Sequence, residues 1–475
     1  MRLRVIALLA VLVGILSLYM WLLNTPQSVF DNSAKNESSN LEYTMPEPFI
    51  EMVQISLVPV TAFQNFSIFD TNDVSTTLFI SEKYFTSASQ LPIWSELQSK
   101  LVAKDEPEWL DFLENPDSTV WIVPLFELTP QLRTLSVDGI SLFNVQDENQ
   151  WPLVITSPTP DEGPMSKDDL KALAFGGTVV LSRGVAERIE KYNDTYYPWA
   201  EVASILKVVD YSFINFKGPL TKDCVYDGYT LKFCGQFDYL DGMKQAGVDG
   251  VSLSGNHIGD YGSLGMQETL EALDQYDIAY TGLGKGYEAA REPIIVTLDT
   301  SDGENFTVGI LAYNNVFGTA PCAQEGSNAI GVTCLLDTEK VNEEIKQLKE
   351  KVDFVIVYPN WGPEYTHQPD TSKQVDWGRL FIDAGADIVF GDQAHWVQTM
   401  EFYKEKPVFY GLGNFVFDQM WSEKTREGLL VKLYMYNGKL LSMEPIAIKI
   451  YDYTQPKVEI GEVGKAILNY LSLPI

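Results

Sequence analysis

Residues 248–284 combine a short strand, a tight loop and a helix, and this unit constrains the fold more than any other part of the chain. Val251 and Leu253 alternate with small residues, as in a buried strand, and apolar residues then recur at helical spacing. The loop between the two elements carries Asn256 and His257. Open α/β sheets bind ligands at the carboxyl ends of their strands, so this loop is a candidate site.

Strand and helix patterns alternate on both sides of this unit. Buried apolar runs predict strands at residues 172–181, 211–215, 308–313, 353–358 and 387–390. Apolar residues at helical spacing predict helices at residues 185–192, 199–207, 337–351 and 373–384. Such alternation is typical of a layered α/β domain. After residue 397 the pattern changes to short paired strands.

Composition limits the class of partner. The 475 residues contain 65 acidic and 34 basic side chains, for a formal net charge of -31. A negative field of this size opposes broad binding of polyanions, so we expect no nucleic-acid partner, and any contact with an anionic polymer should be confined to a local basic pocket. The length is sufficient for two or three domains with sizeable cores.

The N-terminus has the pattern of a membrane anchor. Arg2 and Arg4 precede an uncharged, mostly apolar run over residues 5–23, about the length of a helix that crosses a hydrocarbon core. The basic flank predicts a cytoplasmic tail, with everything after the run outside. We therefore expect a single-pass cell-membrane protein with extracytoplasmic domains. A cleaved signal peptide is the alternative, because its basic start looks the same.

The chain divides by composition into five segments. They are a transmembrane anchor at 1–23, a flexible polar stalk at 24–45, an N-terminal α/β domain at 46–160, the main α/β domain at 168–455 and a C-terminal tail at 456–475. A segment rich in Pro and charge, residues 157–169, separates the two folded domains. Within the N-terminal domain a helix is predicted around residues 94–103, and the role of this domain, including ligand binding, stays open.

The four cysteines fall into two local pairs in loop-like sequence. They predict the disulfides Cys224–Cys234 and Cys322–Cys334, as expected outside the cytoplasm. One metal site that shares all four thiolates is the alternative, although the chain lacks any C-x-x-C element.

Polar side chains follow three further predicted strands. They are Asn215 and Lys217 after one strand, Asn360, Trp361 and Glu364 after another, and Asp392, Gln393 and His395 after the third. Such loops converge at one edge of an α/β layer. Asn, His and Asp at strand ends are the ligands that a hydrolytic centre needs around two cations about 4 Å apart.

These blocks, taken in order, resemble the capsule synthesis proteins of the CapA type. The matching blocks are GGTVVLSRGVAERI, NHIGDYG, TLEAL, TGLG, NWGPEY, FIDAGADIVFG and YGLGNFVFDQ, between residues 170 and 453. That family acts in poly-gamma-glutamate capsule biosynthesis and is related to the calcineurin-like metallophosphoesterases. The resemblance implies a sandwich of two sheets flanked by helices, in a membrane-anchored cell-surface protein.

The chain departs from the family pattern at four expected ligand positions. The family's Gly-Asp is Gly176-Gly177 here, its Asn-Leu-Glu is Asn215-Phe216-Lys217, its His-Trp-Gly is Asn360-Trp361-Gly362, and its His-Pro-His is Gln393-Ala394-His395. Asn256, His257 and His395 are kept, and these three are the candidate catalytic residues.

The donors that remain carry too little negative charge for two divalent metals. We expect either no metal or one weakly bound divalent metal at Asn256, His257, His395 and Asp260. The ammonium of Lys217 would repel a cation and attract an anion, so we predict an anion site at Lys217, Arg183 and His257. The full set of predicted ligand-binding residues is Lys217, Arg183, Asn215, Asn360, Trp361, Glu364 and Gln393.

The resemblance implies a binding or scaffolding protein in capsule or poly-gamma-glutamate assembly, with an eroded metal site. Its expected partners are the membrane, through the N-terminal helix, and an anionic surface polymer or its synthesis machinery. The alternative is an active metal-dependent hydrolase of phosphoester or amide bonds in an anionic surface polymer, so enzymatic activity stays open.

Each candidate residue also has a structural interpretation. His257 and His395 could have a purely structural role and hold loops through hydrogen bonds. Lys217 could face solvent, and Trp361 could be a core residue. Asp260 is expected to brace the start of a helix. His367 is expected at the surface, and Asn414 in a turn.

Overall fold

The computed structural model describes residues 52–62, 78–81, 101–104, 120–124, 128–137, 142–144, 154–158, 169–225, 230–301 and 303–475. The predicted anchor and stalk, residues 1–45, lie outside these ranges. Among the described residues, no helix is both long enough and apolar enough to span a bilayer.

The described part of the N-terminal region forms a mixed sheet. Its strands are β1 (Met52–Ala62), β2 (Leu78–Ser81), β3 (Leu101–Lys104), β4 (Val120–Pro124), β5 (Leu132–Thr134) and β6 (Val154–Pro158). Their order is β3-β2-β4-β1-β5, and β6 pairs with β1 as well. Strand β2 is parallel to both neighbours, whereas β1 is antiparallel to all of its partners. The helix predicted around residues 94–103 is wrong at its end, because Leu101–Lys104 is a strand.

The first sheet of the main region has the order β10-β9-β8-β7-β20-β21-β22, with β19 paired to the end of β7. Its strands are β7 (Lys171–Val179), β8 (Tyr211–Phe216), β9 (Gly250–Ser252), β10 (Ala279–Thr281), β19 (Asn414–Val416), β20 (Glu427–Tyr436), β21 (Lys439–Tyr451) and β22 (Gln455–Val458). Strands β7 to β10 are parallel, and β20 to β22 form an antiparallel extension.

The second sheet has the order β12-β13-β15-β16-β18-β17. Its strands are β12 (Ile294–Leu298), β13 (Phe306–Asn314), β15 (Phe354–Asn360), β16 (Ile388–Phe390), β17 (Met400–Tyr403) and β18 (Lys406–Phe409). The four inner strands are parallel, and the two edge strands are antiparallel to them. Strands β11 (Leu283–Lys285) and β14 (Ile330–Val332) form a separate ribbon.

Helices flank the two sheets. They are α1 (Gly184–Tyr192), α2 (Ala203–Leu206), α3 (Tyr239–Gln245), α4 (Gly262–Gln275), α5 (Tyr287–Ala290), α6 (Thr338–Lys349), α7 (Asp376–Ala384), α8 (Glu423–Arg426) and α9 (Gly461–Leu468). Short 3-10 turns at Leu142–Asn144 and Asn469–Ser472 and a π turn at Thr371–Val375 complete the described helical segments. The start of helix α6 follows from its sequence. The side chain of Asp337 accepts hydrogen bonds from the backbone N–H groups of Glu339 and Lys340 and so caps the helix.

The core lies in three layers. Between the sheets, Phe175 of the first packs on Phe390 of the second, with ring centroids 4.7 Å apart. Helices α1, α3 and α4 cover the outer face of the first sheet. Helices α6 and α7 cover the outer face of the second through residues such as Ile345 and Phe381. The result is a two-sheet sandwich flanked by helices, and the loops after its parallel strands meet at one edge.

Candidate functional site

Asp392 joins the strand ends of the two sheets. It follows β16 of the second sheet, and its side chain is fully buried. Its Oδ2 accepts hydrogen bonds from Thr178 Oγ1 at the end of β7, at 2.6 Å, and from Asn215 Nδ2 in β8, at 2.5 Å. The predicted convergence of these loops is therefore present, with Asp392 at its centre.

Lys217 lies inside the site and not at the surface. Only 1% of the residue is exposed, so the solvent-facing interpretation is wrong. Its Nζ donates to Gln393 Oε1 at 2.7 Å, and Gln393 Nε2 donates to Glu364 Oε1 at 3.1 Å. Burial lowers the pKa of Lys217, while the negative charges of Asp392 and Glu364 act in the opposite direction.

His257 is oriented by the carboxylate of Asp260, which also binds two neighbouring loops. Its Nδ1 lies 3.1 Å from Asp260 Oδ2. The Asp260 carboxylate also accepts from the backbone N–H of Phe233, at 2.7 Å, and from Thr319 Oγ1, at 2.6 Å. No side-chain hydrogen bond caps the start of α4, so Asp260 braces the two neighbouring loops and His257 instead. Because Nδ1 faces Asp260, Nε2 is the ring nitrogen left for a ligand.

His395 is held in one orientation by Asn414. Its Nδ1 lies 2.8 Å from Asn414 Oδ1, and Asn414 Nδ2 donates to the carbonyl of Thr425 at 2.8 Å. Burial holds the pKa of His395 well below its usual value, and the charge of Lys217 lowers it further. The turn interpretation of Asn414 missed this role, because the contact spans 19 residues of sequence.

Arg183 already has protein partners. Two of its guanidinium N–H groups donate to the carboxylate of Asp418, with Nε 3.1 Å from Oδ2, and a third donates to the carbonyl of Thr230 at 3.2 Å. The guanidinium also lies 4.7 Å from the centre of the Phe233 ring. Its predicted role in binding an anion stays a prediction, and a ligand would have to compete with Asp418.

Trp361 belongs to the core and not to the site. The residue is fully buried among the side chains under α7, and its indole Nε1 donates to the carbonyl of Tyr410 at 2.9 Å. His367 is half-buried, which corrects the surface prediction, and its ring stacks on Tyr470 with centroids 3.8 Å apart. Trp361 contacts Asp392 through its backbone, since its N–H donates to the Asp392 carbonyl at 3.0 Å.

Buried oxygen atoms without partners mark the interior of the site. They are the Oδ1 atoms of Asn215, Asn256, Asn360 and Asp392, which have no hydrogen-bond partner among the described residues. The amide nitrogens of two of them are tied back, with Asn215 Nδ2 on Asp392 and Asn360 Nδ2 on Asn314 Oδ1 at 3.0 Å. These bonds fix the amide orientations, so the oxygens face inward.

Thr178, and not Gly177, brings a side chain into the site at the end of β7. Gly177, the expected position of the family's first acidic residue, cannot carry a side chain, because a Cβ there would lie 2.0 Å from the carbonyl oxygen of Gly413. A register shift between Gly176 and Thr178 turns the threonine toward Asp392. The only sequence signal is that Thr178 follows the two glycines directly.

Strained backbone accompanies the site. Arg183, Tyr365, Gln393 and His395 all have positive φ, with values of 49°, 61°, 106° and 57°. Non-glycine residues adopt such angles at a cost that the surrounding structure must offset, and they concentrate where side chains have to be aimed. Gln393 is the most extreme of the four.

The donor set does not fit a dinuclear metal centre of the kind that the resemblance to metallophosphoesterases implies. Within the part of the chain that the structure describes, no group of three His, Cys, Asp or Glu side chains is arranged to hold a metal ion. Asp260 already makes three protein contacts, and Asp392 lies within electrostatic reach of the buried Lys217. Two divalent charges would lack compensation here.

The two predicted disulfides are confirmed and lie beside the site. Cys224 pairs with Cys234, next to Phe233, whose N–H binds Asp260. Cys322 pairs with Cys334, and Thr319 lies three residues before this closed loop. The described cysteines include none that is free, so the alternative of a four-thiolate metal site is wrong.

Comparison with known proteins gives one family match and several relatives. The model of the family described as "bacterial capsule synthesis protein PGA_cap" matches residues 172–419. The capsule biosynthesis protein CapA of Bacillus anthracis is 27% identical over 283 residues, which are 58% of this chain and 66% of that protein. The PGA biosynthesis protein CapA of Bacillus subtilis is 29% identical over 295 residues, which are 62% of this chain and 75% of that protein.

Solved structures resemble the chain only distantly. The calcineurin-like phosphoesterase YfkN from Bacillus subtilis has a TM-score of 0.36 and 14% identity, covering 61% of this chain and 93% of that one. GAP50, described as the anchor in the inner membrane complex of Plasmodium, has a TM-score of 0.32 and 11% identity, covering 64% and 96%.

Proposed function

The chain belongs to the family of bacterial capsule synthesis proteins, and from that premise we propose that it acts at the cell surface as a binding or scaffolding protein in capsule or poly-gamma-glutamate assembly. The apolar run at residues 5–23 would anchor it, with the sandwich on the outer side of the membrane. In this proposal the site no longer serves metal-dependent hydrolysis.

The burial of Lys217 carries the proposal. An ammonium about 4 Å from a divalent ion costs about 8 kcal/mol at an effective dielectric constant of 20, since a single pair of unit charges at that distance interacts by about 4 kcal/mol. Lys217 is fully buried beside Asp392, the carboxylate that links the strand ends of both sheets. In this proposal the Lys217 ammonium supplies the positive charge that metal ions would otherwise supply.

Metal analysis tests the loss of the centre. The purified protein is dialysed without chelator, its metal content is measured by mass spectrometry, and hydrolysis of bis-(p-nitrophenyl) phosphate is followed with added Mn²⁺. We expect well under one tightly held equivalent and no turnover above a heat-denatured sample. Two retained transition-metal ions together with turnover would overturn the proposal.

Genetics tests the role in polymer assembly separately. Deletion of the gene should reduce cell-surface polymer, measured by chemical analysis of washed cells, and the intact gene should restore it. A second strain carries the gene with Cys224 and Cys234 both replaced by Ser. This variant lacks the disulfide that closes the loop with Phe233, and it is compared with the intact gene. Unchanged polymer in the deletion strain would contradict the assignment.

One observation favours a second candidate, an active hydrolase of phosphoester or amide bonds in an anionic polymer. His257 is oriented by Asp260 with Nε2 left for a ligand, which is the arrangement of a general acid or base. Under this alternative, His257→Gln would abolish a measurable polymer hydrolysis. Under the binding role there is no such hydrolysis to lose.

A further inference from the structure

Two aromatic side chains form a corner at the surface beside the site. Tyr365, in the loop after β15, is 37% exposed, and Trp421, before α8, is 63% exposed. Their ring centroids lie 5.0 Å apart at an interplanar angle of 78°. Single exposed apolar residues are normal on a soluble protein, but two in contact at right angles present two ring surfaces to one ligand group.

The corner is continuous with the rest of the site. The Tyr365 ring lies 5.8 Å from His395 and nearly parallel to it, and the Tyr365 backbone N–H donates to the carbonyl of Ala394 at 2.8 Å. Gln419 Nε2 lies 3.4 Å from the Tyr365 hydroxyl. These contacts hold Tyr365 in its left-handed conformation, with φ of 61°, so the ring is aimed by the fold.

Eight other tyrosines that are exposed or half-buried have a Lys or Arg of the protein itself over their rings. They are Tyr192, Tyr196, Tyr261, Tyr287, Tyr403, Tyr451, Tyr453 and Tyr470. The negative face of an aromatic ring attracts such a charge. Within the described ranges, by contrast, Tyr365 and Trp421 have no Lys or Arg over their rings, so this corner is the place where an external cation gains most.

The local charge is also negative. Glu364 adjoins Tyr365, and its side chain is 43% exposed. Its Oε1 accepts from the neutral amide of Gln393 and lies 3.9 Å from His395 Nε2, beyond hydrogen-bond distance. The nearest basic side chains are already matched, because Arg183 pairs with Asp418, and Lys217 is buried beside Asp392. The exposed carboxylate of Glu364 would repel an anion at the corner and would attract a cation.

We propose that Tyr365, Trp421 and Glu364 form a binding site for a substituted ammonium group. The two rings would enclose the alkyl groups around the nitrogen, and the carboxylate would face its charge. This inference does not rest on the proposed role in polymer assembly, since it uses only the geometry and charge of the rim.

Choline and its uncharged isostere 3,3-dimethyl-1-butanol test the site, because the two have the same shape and differ in charge. Binding to the purified full-length protein is measured by titration calorimetry at low salt, where exposed electrostatics are least screened. We expect choline to bind at least about tenfold more tightly than the alcohol, since the attraction is lost with the charge. Vesicles of phosphatidylcholine, compared with free choline, show whether the group is recognised on a lipid head group or alone.

Variants locate the binding. Trp421→Ala and Glu364→Gln should each weaken choline binding by about tenfold, and Trp421→Phe should keep most of it. Ile460→Ala truncates an apolar residue that is 83% exposed elsewhere and should change nothing. Circular dichroism checks that each variant is folded.

Three results would overturn the inference. They are no choline binding by the folded protein, equal binding of the isostere, and unchanged binding by both Trp421→Ala and Glu364→Gln. Preferential binding of poly-gamma-glutamate at the same corner would also overturn it and would leave the capsule role intact. Loss of the capsule role in the deletion experiment would leave this site untouched.

Discussion

A double-mutant cycle on Lys217 and Asp392 measures whether the lysine is the cation of the site. Asp392 Oδ2 accepts two buried hydrogen bonds, from Thr178 and Asn215, and its charge opposes the burial that lowers the pKa of Lys217. Lys217 Nζ donates to Gln393 and makes no direct ion pair with Asp392, but removing one of two coupled buried charges still leaves the other less compensated, at a cost of about 2–3 kcal/mol. Lys217→Met and Asp392→Asn should therefore each lower the free energy of unfolding by about that amount.

The double variant distinguishes coupling from coincidence. Once both charges are gone neither is left uncompensated, so the double variant should lose about 2 kcal/mol less than the sum of the two single variants, and that difference is the coupling free energy. Unfolding in urea at pH 7.5, followed by tryptophan fluorescence, gives the four free energies. The exposed pair Lys457–Glu201, 3.0 Å apart, is the matched control and should couple by no more than about 1 kcal/mol. Additive effects at Lys217 and Asp392, to within about 0.5 kcal/mol, would refute the argument.

Three further predictions follow from the same geometry. The Thr178→Asp/Lys217→Glu variant should gain Mn²⁺ binding and be stabilised by about 2.7 kcal/mol at a Mn²⁺ concentration of one hundred times Kd; thermal melts that ignore Mn²⁺ would argue against an eroded metal site. Burial keeps His395 unprotonated in the folded protein while the unfolded chain takes up a proton below about pH 6.5. Urea unfolding should therefore show stability falling by up to about 1.4 kcal/mol per pH unit below that pH, and His395→Gln should show a smaller slope. Gly177→Ala should yield little folded protein in soluble expression, because its Cβ would meet the carbonyl oxygen of Gly413 at 2.0 Å; a stable variant would contradict that packing.

The sequence predicted the elements of the sandwich because their signals are local. Strand β15 is a continuous apolar run that is buried on both faces, as parallel strands are. Asp337 marks the start of α6 and caps it, and the two disulfides join cysteines only 10 and 12 residues apart. In each case the information lies within a dozen residues, so pattern and spacing were sufficient.

The interior of the site was not predictable in the same way, because it depends on side-chain direction across distant segments. Asp392 meets Thr178 across 214 residues, and only the register shift in β7 turns Thr178 toward it. Gly177 was the plausible alternative until the position of Gly413 excluded a side chain there. Trp361 faces the helix layer although its neighbours face the site, since successive residues at a strand end point to opposite sides.

Substitutions in the interior of the site should therefore change stability, whereas substitutions on the rim should change ligand affinity. In the interior, Lys217 and Asp392 are both buried and hydrogen-bonded, so a substitution there should appear first as a change in stability. On the rim, Trp421 and Glu364 are both exposed to solvent, so their replacement should cost little stability and appear as a change in ligand affinity. Under the proposed loss of the metal centre, binding at the rim does not depend on the interior chemistry. The proposed rim ligand is a cation, whereas a centre of divalent metals would attract an anion.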